Sequence, residues 1–178
     1  MKEFLVTFFA DYKTPIVFLH ILSAVVWVGG MVAMRYAAHH SFMHLQEPKE
    51  RLSRISYALK RLFSIVTPFV IVLIITAILM SVGLGFRVAA VDANGNVIDD
   101  YAMFIYNLVH VKEVIWMVMA TNLGAMIYRR AKADKALSQN DLPTAKALLE
   151  PIGKYMVPLN IFLGVSAIYL GVTLRHAY

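Results

Sequence analysis

His20 and His110 each interrupt a stretch of sequence otherwise too apolar to hold an imidazole without cost. A ring nitrogen with a lone pair ligates transition metals, and buried polar side chains in apolar spans normally face inward onto a partner. Two turns of helix hold the neighbours that would complete such a site. On the face of His20 lie Ser23, Ala24 and Trp27, and on the face of His110 lie Tyr106, Asn107, Glu113, Val114 and Met117. Small residues one turn from a ligand leave room for a flat group, and Trp27 could close its lower edge. Lys112 and Glu113 form a second signal, an adjacent cation and acid about two turns inside an apolar run. They suit a proton relay or a polar handle for a substrate; a snorkelling lysine or an ion pair accounts for them equally well. Residue 112 stands about 200° around the helix from residue 110, so the two do not share a face.

The elements that carry these residues follow from composition. The chain has 178 residues, 60% hydrophobic and 16% charged, with no cysteine. Soluble domains carry about 25% charged residues, so this composition is that of an integral membrane protein. The missing cysteines exclude disulfides, thiolate-ligated haem and thiolate-held iron–sulfur clusters. Four apolar segments reach the roughly 20 residues that cross a bilayer, at about Pro15–Tyr36, Leu62–Phe86, Ala102–Tyr128 and Tyr155–Leu174. The expected fold is all-α, an integral membrane four-helix bundle in one domain. Glu3–Tyr12 is aromatic but too short to span, and reads as a short interfacial helix rather than a cleaved leader.

Twelve of the 17 lysines and arginines fall in the connections after the first and third spans. The positive-inside rule then puts both basic connections in the cytoplasm and both termini outside. The net charge of +6 is therefore topological, and nucleic acid is not an expected partner. Within the basic connections, Pro48–Arg61 reads as a lead-in to the second span and Ser138–Leu149 as a short helix opened by Pro143. Asp92-Ala93-Asn94-Gly95-Asn96 is a turn, with the composition of a small hairpin tip. Pro68 is placed to kink the second span, and Gly164, Ala167 and Gly171 form a small-residue packing stripe on the fourth.

Spans one and three run in the same direction. At 1.5 Å per residue, His20 lies roughly 8 Å and His110 roughly 12 Å inside their spans, so both rings sit in the outer leaflet. An iron with an imidazole on each side is the partner such a pair suggests, which makes haem b the expected cofactor and His20 and His110 its metal ligands. Arg87 and Arg175, at the outer ends of spans two and four, would pair with its propionates. Each histidine bonded singly to a nearby hydroxyl or carbonyl is the plainer alternative. His39, His40 and His44 cluster at the other end of span one, where no third ligand is evident, and His176 reads as exposed. The ten methionines are spread through all the spans, including Met31, Met34, Met80, Met117 and Met119, and read as packing.

The run from His20 through Ser23, Ala24 and Trp27 to Gly29 and Gly30, with Arg35 after it, resembles the signature of a superfamily. That superfamily holds HemJ-type protoporphyrinogen oxidases and CopD-type copper-resistance membrane domains. Lys60-Arg61-Leu62 leading to Thr67-Pro68 is similar to the start of the HemJ-type second helix, and His110-Val111-Lys112 to the lysine-bearing third. Asn122 with Arg129-Arg130 is closer to CopD-type third helices, and Pro158-Leu159-Asn160 reverses the HemJ-type order of Asn and Pro. The HemJ-type resemblance implies haem b, ligation at His20, a functional Lys112 and oxidation of protoporphyrinogen with electrons passed to a quinone. The CopD-type resemblance implies copper handling. Taken together, the expectation is a redox protein of a bacterial inner membrane that exchanges electrons with a quinol or hydroporphyrin. Lys112 and Glu113 are its candidate acid–base groups; copper transport is the alternative. Whether it forms a homo-oligomer stays open.

Overall fold

The computed structural model describes residues 2–176, with the side chains of Lys2, His39, Arg175 and His176 left out of the description. It is helical almost throughout. In chain order the elements are α1 (Lys2–Asp11), α2 (Lys13–Ala33), α3 (His39–Phe42), α4 (Pro48–Gly83), α5 (Phe86–Ala90), α6 (Asp100–Ser138), α7 (Leu142–Pro151) and α8 (Val157–His176). Two π-helical turns, Met34–Ala38 and Ile152–Met156, join α2 to α3 and α7 to α8. Four helical stretches are long and apolar enough to cross a membrane: Lys13–Phe42, Pro48–Gly83, Asp100–Ser138 and Leu142–Leu174.

Three of the expected spans lie inside longer rods, and the second, Leu62–Phe86, runs three residues past the end of α4 at Gly83. Pro48 sits in the first turn of α4, where its missing N–H has no partner to lose, and the lead-in to span two is one helix with it. That helix runs through Pro68 unbroken. Asp141 caps α7 by accepting from the Thr144 N–H at 3.1 Å, with a proline in the first turn, as expected for that connection. The turn between α5 and α6 is a minimal hairpin: Val91 bridges Val97, and Asp92 accepts from the backbone N–H groups of Asn94 and Asn96, each at 2.8 Å. Gly95 takes a φ of +90°, which an L side chain resists.

α2 packs against α4 and α8, and α6 packs against the same two. The four long helices therefore form a ring in which α2 and α6 occupy opposite corners. α1 lies on α4, where buried Phe9 fills the space that Gly83 leaves; a Cβ at Gly83 would fall inside the ring of Phe9. The core runs along the ring axis through Trp27, Met31, Phe63, Val66, Met119, Met126 and Val157. The outer faces are also apolar. Phe18, Ile21 and Val25 on α2, Ile71, Ile75 and Ile78 on α4, and Phe162, Val165 and Tyr169 on α8 are all more than half exposed. A continuous apolar exterior on this scale is untenable in water and is what a lipid-facing surface requires.

Candidate functional site

His20 faces into the ring. Its Nδ1 lies 3.0 Å from Oγ1 of Thr76, a residue of α4 that is only 4% exposed. The Thr76 hydroxyl also sits 2.8 Å from the Val72 carbonyl and 3.0 Å from the Leu73 carbonyl. Carbonyl oxygens only accept, so where the single hydroxyl hydrogen serves them the oxygen turns a lone pair to His20. In that tautomer the imidazole donates from Nδ1, and the lone pair of the neutral ring is on Nε2. A hydrogen-bond acceptor holding one ring nitrogen so that the other can ligate is the usual arrangement behind metal-binding histidines.

Lys112 of α6 also points into the ring, from the opposite corner. Its Nζ occupies the space opened by Gly171 of α8, 3.2 Å from where a Cβ would stand. Each of the four long helices thus contributes one position: His20, Thr76, Lys112 and Gly171. Further along the axis are three buried donors with no hydrogen-bond partner among the described residues, Ser23 Oγ, Trp27 Nε1 and Trp116 Nε1. Buried donors left unpaired carry a free-energy cost and point to a bound group or water.

The face carrying His20, Ser23 and Trp27 was expected to point inward, and it does. The face carrying His110 does not. His110 and Glu113 leave α6 on its outer side, with 49% and 44% of their side chains exposed, and bond to each other, Nδ1 to Oε2, at 2.9 Å. The Tyr106 ring stacks edge-on to His110 at 4.5 Å, and Asn107, Val114 and Met117 are exposed beside them. The physical reason is rotation. Ile105, Met119, Met126 and Ala133 are buried at intervals of seven residues or multiples of seven, and Lys112 falls on that stripe. Residue 110 is about 200° away from it. The expectation that His20 and His110 clasp one iron within a single chain is corrected accordingly. Lys112 and Glu113 likewise part company, one inward and one outward.

Among the other expected site residues, Ala24 is half-buried beside Ser23, and Arg87 is exposed on α5. The side chain of Arg175 lies outside the described residues, as do those of His39 and His176. His40 and His44 are exposed with rings 5.6 Å apart, and no group of three metal-binding side chains occurs among the described residues. Met31, Met34 and Met119 are buried in the core and pack as expected, while Met117 is exposed.

Sequence reasoning missed Thr76 and Trp116. Thr76 carries no signal, since a helical threonine usually bonds its own preceding turn. Trp116 follows Lys112 by one turn and shares its face, a spacing visible in the sequence. It also missed how Asn122 and Asn160 work together. Asn122 donates to the Met156 carbonyl and to Asn160 Oδ1, both at 2.8 Å, and Asn160 donates to the Met119 carbonyl at 3.3 Å, so the pair clasps α6 to α8.

As a haem site, the residues fit ligation by one histidine: His20 offers Nε2, and the unpaired hydroxyl and indole donors can serve an anionic or carbonyl-bearing group. They do not fit a second ligand from His110. Comparison of the chain with protein-family models, with characterised proteins and with solved structures gives no match.

Proposed function

We propose that the chain is a four-helix membrane redox protein, with both termini outside, that holds one haem b through His20. The single observation that carries this reading is the Thr76 contact, which supports a tautomer with its hydrogen on Nδ1 and Nε2 free to ligate. The resemblance to HemJ-type proteins supports it independently, because it pairs a ligand at His20 with a functional Lys112, and both side chains face into the helix ring. Bound there, haem supplies one-electron chemistry, tuned by its ligand and by the low dielectric around it.

The remaining roles belong to the protein. Thr76 orients the ligand. Lys112 holds a proton at Nζ beside the site, where the oxidation of a quinol or hydroporphyrin must release one. Ser23, Trp27 and Trp116 donate to whatever carbonyl or carboxylate enters between α2 and α6. The basic connections support an orientation with those connections inside, in keeping with a bacterial cytoplasmic membrane.

The visible spectrum of detergent-purified protein from haem-replete cells, with metal analysis of the same sample, tests the reading. A b-type Soret and α-band with one iron per chain is expected. Colourless protein with stoichiometric copper would replace it with copper handling, and colourless protein without metal would leave a structural subunit. If the spectrum is present, rescue of a strain lacking protoporphyrinogen oxidase separates an oxidase from an electron carrier.

A further inference from the structure

A second site lies at the other end of the helix ring, among the basic connections. A cleft of about 710 Å³ opens there, lined by residues of α4, α7, the start of α8 and both π-helical turns. Its floor is apolar and buried, formed by Leu52, Leu59, Leu149 and Val157. Its rim carries Arg35, Arg51, Lys146 and Lys154 against a single carboxylate, Glu150.

Two features set these cations apart. The first is that Arg35 and Arg51 are half-buried without an anionic partner among the described residues, whereas Lys49, Lys60 and Arg61 are exposed and Lys154 lies over the Tyr155 ring. Arg54 pairs with Glu50 and Arg130 with Asp134, and Arg129 donates to the carbonyls of Ala147 and Leu148. Arg35 and Arg51 are half-buried and Lys146 exposed, and none of the three has an anionic partner among the described residues. Half-burying a guanidinium without an anion costs free energy that a ligand would recover. The second is the backbone. The two π-helical turns put Arg35 and Met34 into the cleft from one side and Gly153 and Lys154 from the other. Such turns re-aim side chains, are rare, and recur at functional sites.

We propose that this cleft binds one anionic phospholipid from the adjoining leaflet, its phosphate on Arg35 and Arg51 and its acyl chains along the leucine floor. A zwitterionic lipid offers the same phosphate but brings a choline cation against Lys146 and Lys154, and a free phosphate satisfies only the rim. An anionic phospholipid satisfies rim and floor in one molecule without that cation, at the depth where basic residues meet the headgroups. This site is independent of the haem reading, since it shares no residue with it.

Native mass spectrometry of the delipidated full-length protein, titrated with phosphatidylglycerol or phosphatidylcholine, tests the proposal. One phosphatidylglycerol should bind at least about tenfold more tightly than phosphatidylcholine. The double variant Arg35→Gln with Arg51→Gln should bind it about thirtyfold more weakly, the effect of removing two cations at a membrane surface. Glu150→Gln removes only the repelling charge and should tighten binding, which keeps the test decisive if the double variant folds poorly. Lys60→Gln with Arg61→Gln removes the same charge away from the cleft and should change nothing. Equal affinity for the two lipids, or an equal loss in the Lys60/Arg61 control, overturns the proposal. Displacement of the lipid by inorganic phosphate alone also overturns it, in favour of a free-anion site.

Discussion

His110 and Lys112 stand two residues apart on α6 and leave it on opposite sides, the imidazole outward to Glu113 and the amine inward to the space at Gly171. The two histidines therefore make unequal predictions. His20→Ala should abolish haem retention, whereas His110→Ala should leave the absorption spectrum and the iron content of the purified protein unchanged. Loss of haem in His110→Ala would restore that residue to the ligand set.

Lys112 should matter for rate and not for binding. Lys112→Met keeps the length and packing against Gly171 but cannot hold a proton. Its haem content should equal that of the unaltered protein, while stopped-flow reduction by a quinol slows by about a hundredfold or more, the usual contribution of a positioned acid–base group. Unaltered reduction kinetics would leave Lys112 an architectural residue.

Thr76 is a positioning residue, and the conservative series separates its hydroxyl from its shape. Thr76→Val preserves the volume and removes the acceptor for His20 Nδ1, so haem affinity should fall about ten- to hundredfold. Thr76→Ser restores the oxygen and should restore affinity. Equal affinity in the valine and serine variants would detach the hydroxyl from the site.

The Asn122–Asn160 clasp predicts that its two members matter alike for stability. Asn122→Ala removes the bonds to the Met156 carbonyl and to Asn160 Oδ1, and Asn160→Ala removes that same Asn122–Asn160 bond and the one to the Met119 carbonyl, two bonds in each case. Interhelical hydrogen bonds in membranes contribute about 0.6–1.7 kcal/mol, so each variant should destabilise by about 1–2 kcal/mol, and the double variant by less than the sum because the two share one bond. Reversible unfolding in mixed micelles measures all three, and fully additive losses would mean that the pair does not act as a clasp.

Acid should loosen the hairpin late. The Asn96 side-chain and backbone N–H groups, with those of Asn94 and Gly95, hold the Asp92 carboxyl below the usual aspartate value. A depressed folded pKa gives a contribution that is full above the unfolded value, about 3.9, and is lost as pH falls through the lower folded value. Hydrogen exchange at the Asn94 and Asn96 amides should therefore keep its protection down to the ordinary aspartate range and lose it only below. Asp92→Ala should lack that protection at every pH. Loss of protection already near neutrality would assign the loop to other contacts.

Much of the architecture was legible in the order of residues. Four uninterrupted apolar runs are enough to name four helices, because a backbone without water must bond within its own segment. Local rules also gave the helix opened by Pro143 and the turn at Asp92–Asn96, since a cap or a positive φ involves only residues a few places apart. The inward face of α2 was readable too, from the polar stripe of His20, Ser23 and Trp27 in an apolar span. On α6 the grouping of residues by face was right and its direction was not. Tyr106, His110 and Glu113 do share a side, but it is the outer one. A stripe of seven-residue steps through Ile105, Lys112, Met119, Met126 and Ala133 competes with it, and nothing local chooses between them.

The sequence by itself settled that these helices exist and which side chains travel together on each face. Only the packed ring decided which face turns inward. A helix apolar on nearly all sides carries little preference for one rotation about its axis, so the choice falls to the contacts between helices. Here those are the space at Gly171 that admits Lys112, the Asn122–Asn160 clasp, and the buried line from Ile105 to Ala133. The same packing set Thr76, which no pattern in the chain marks out, against His20.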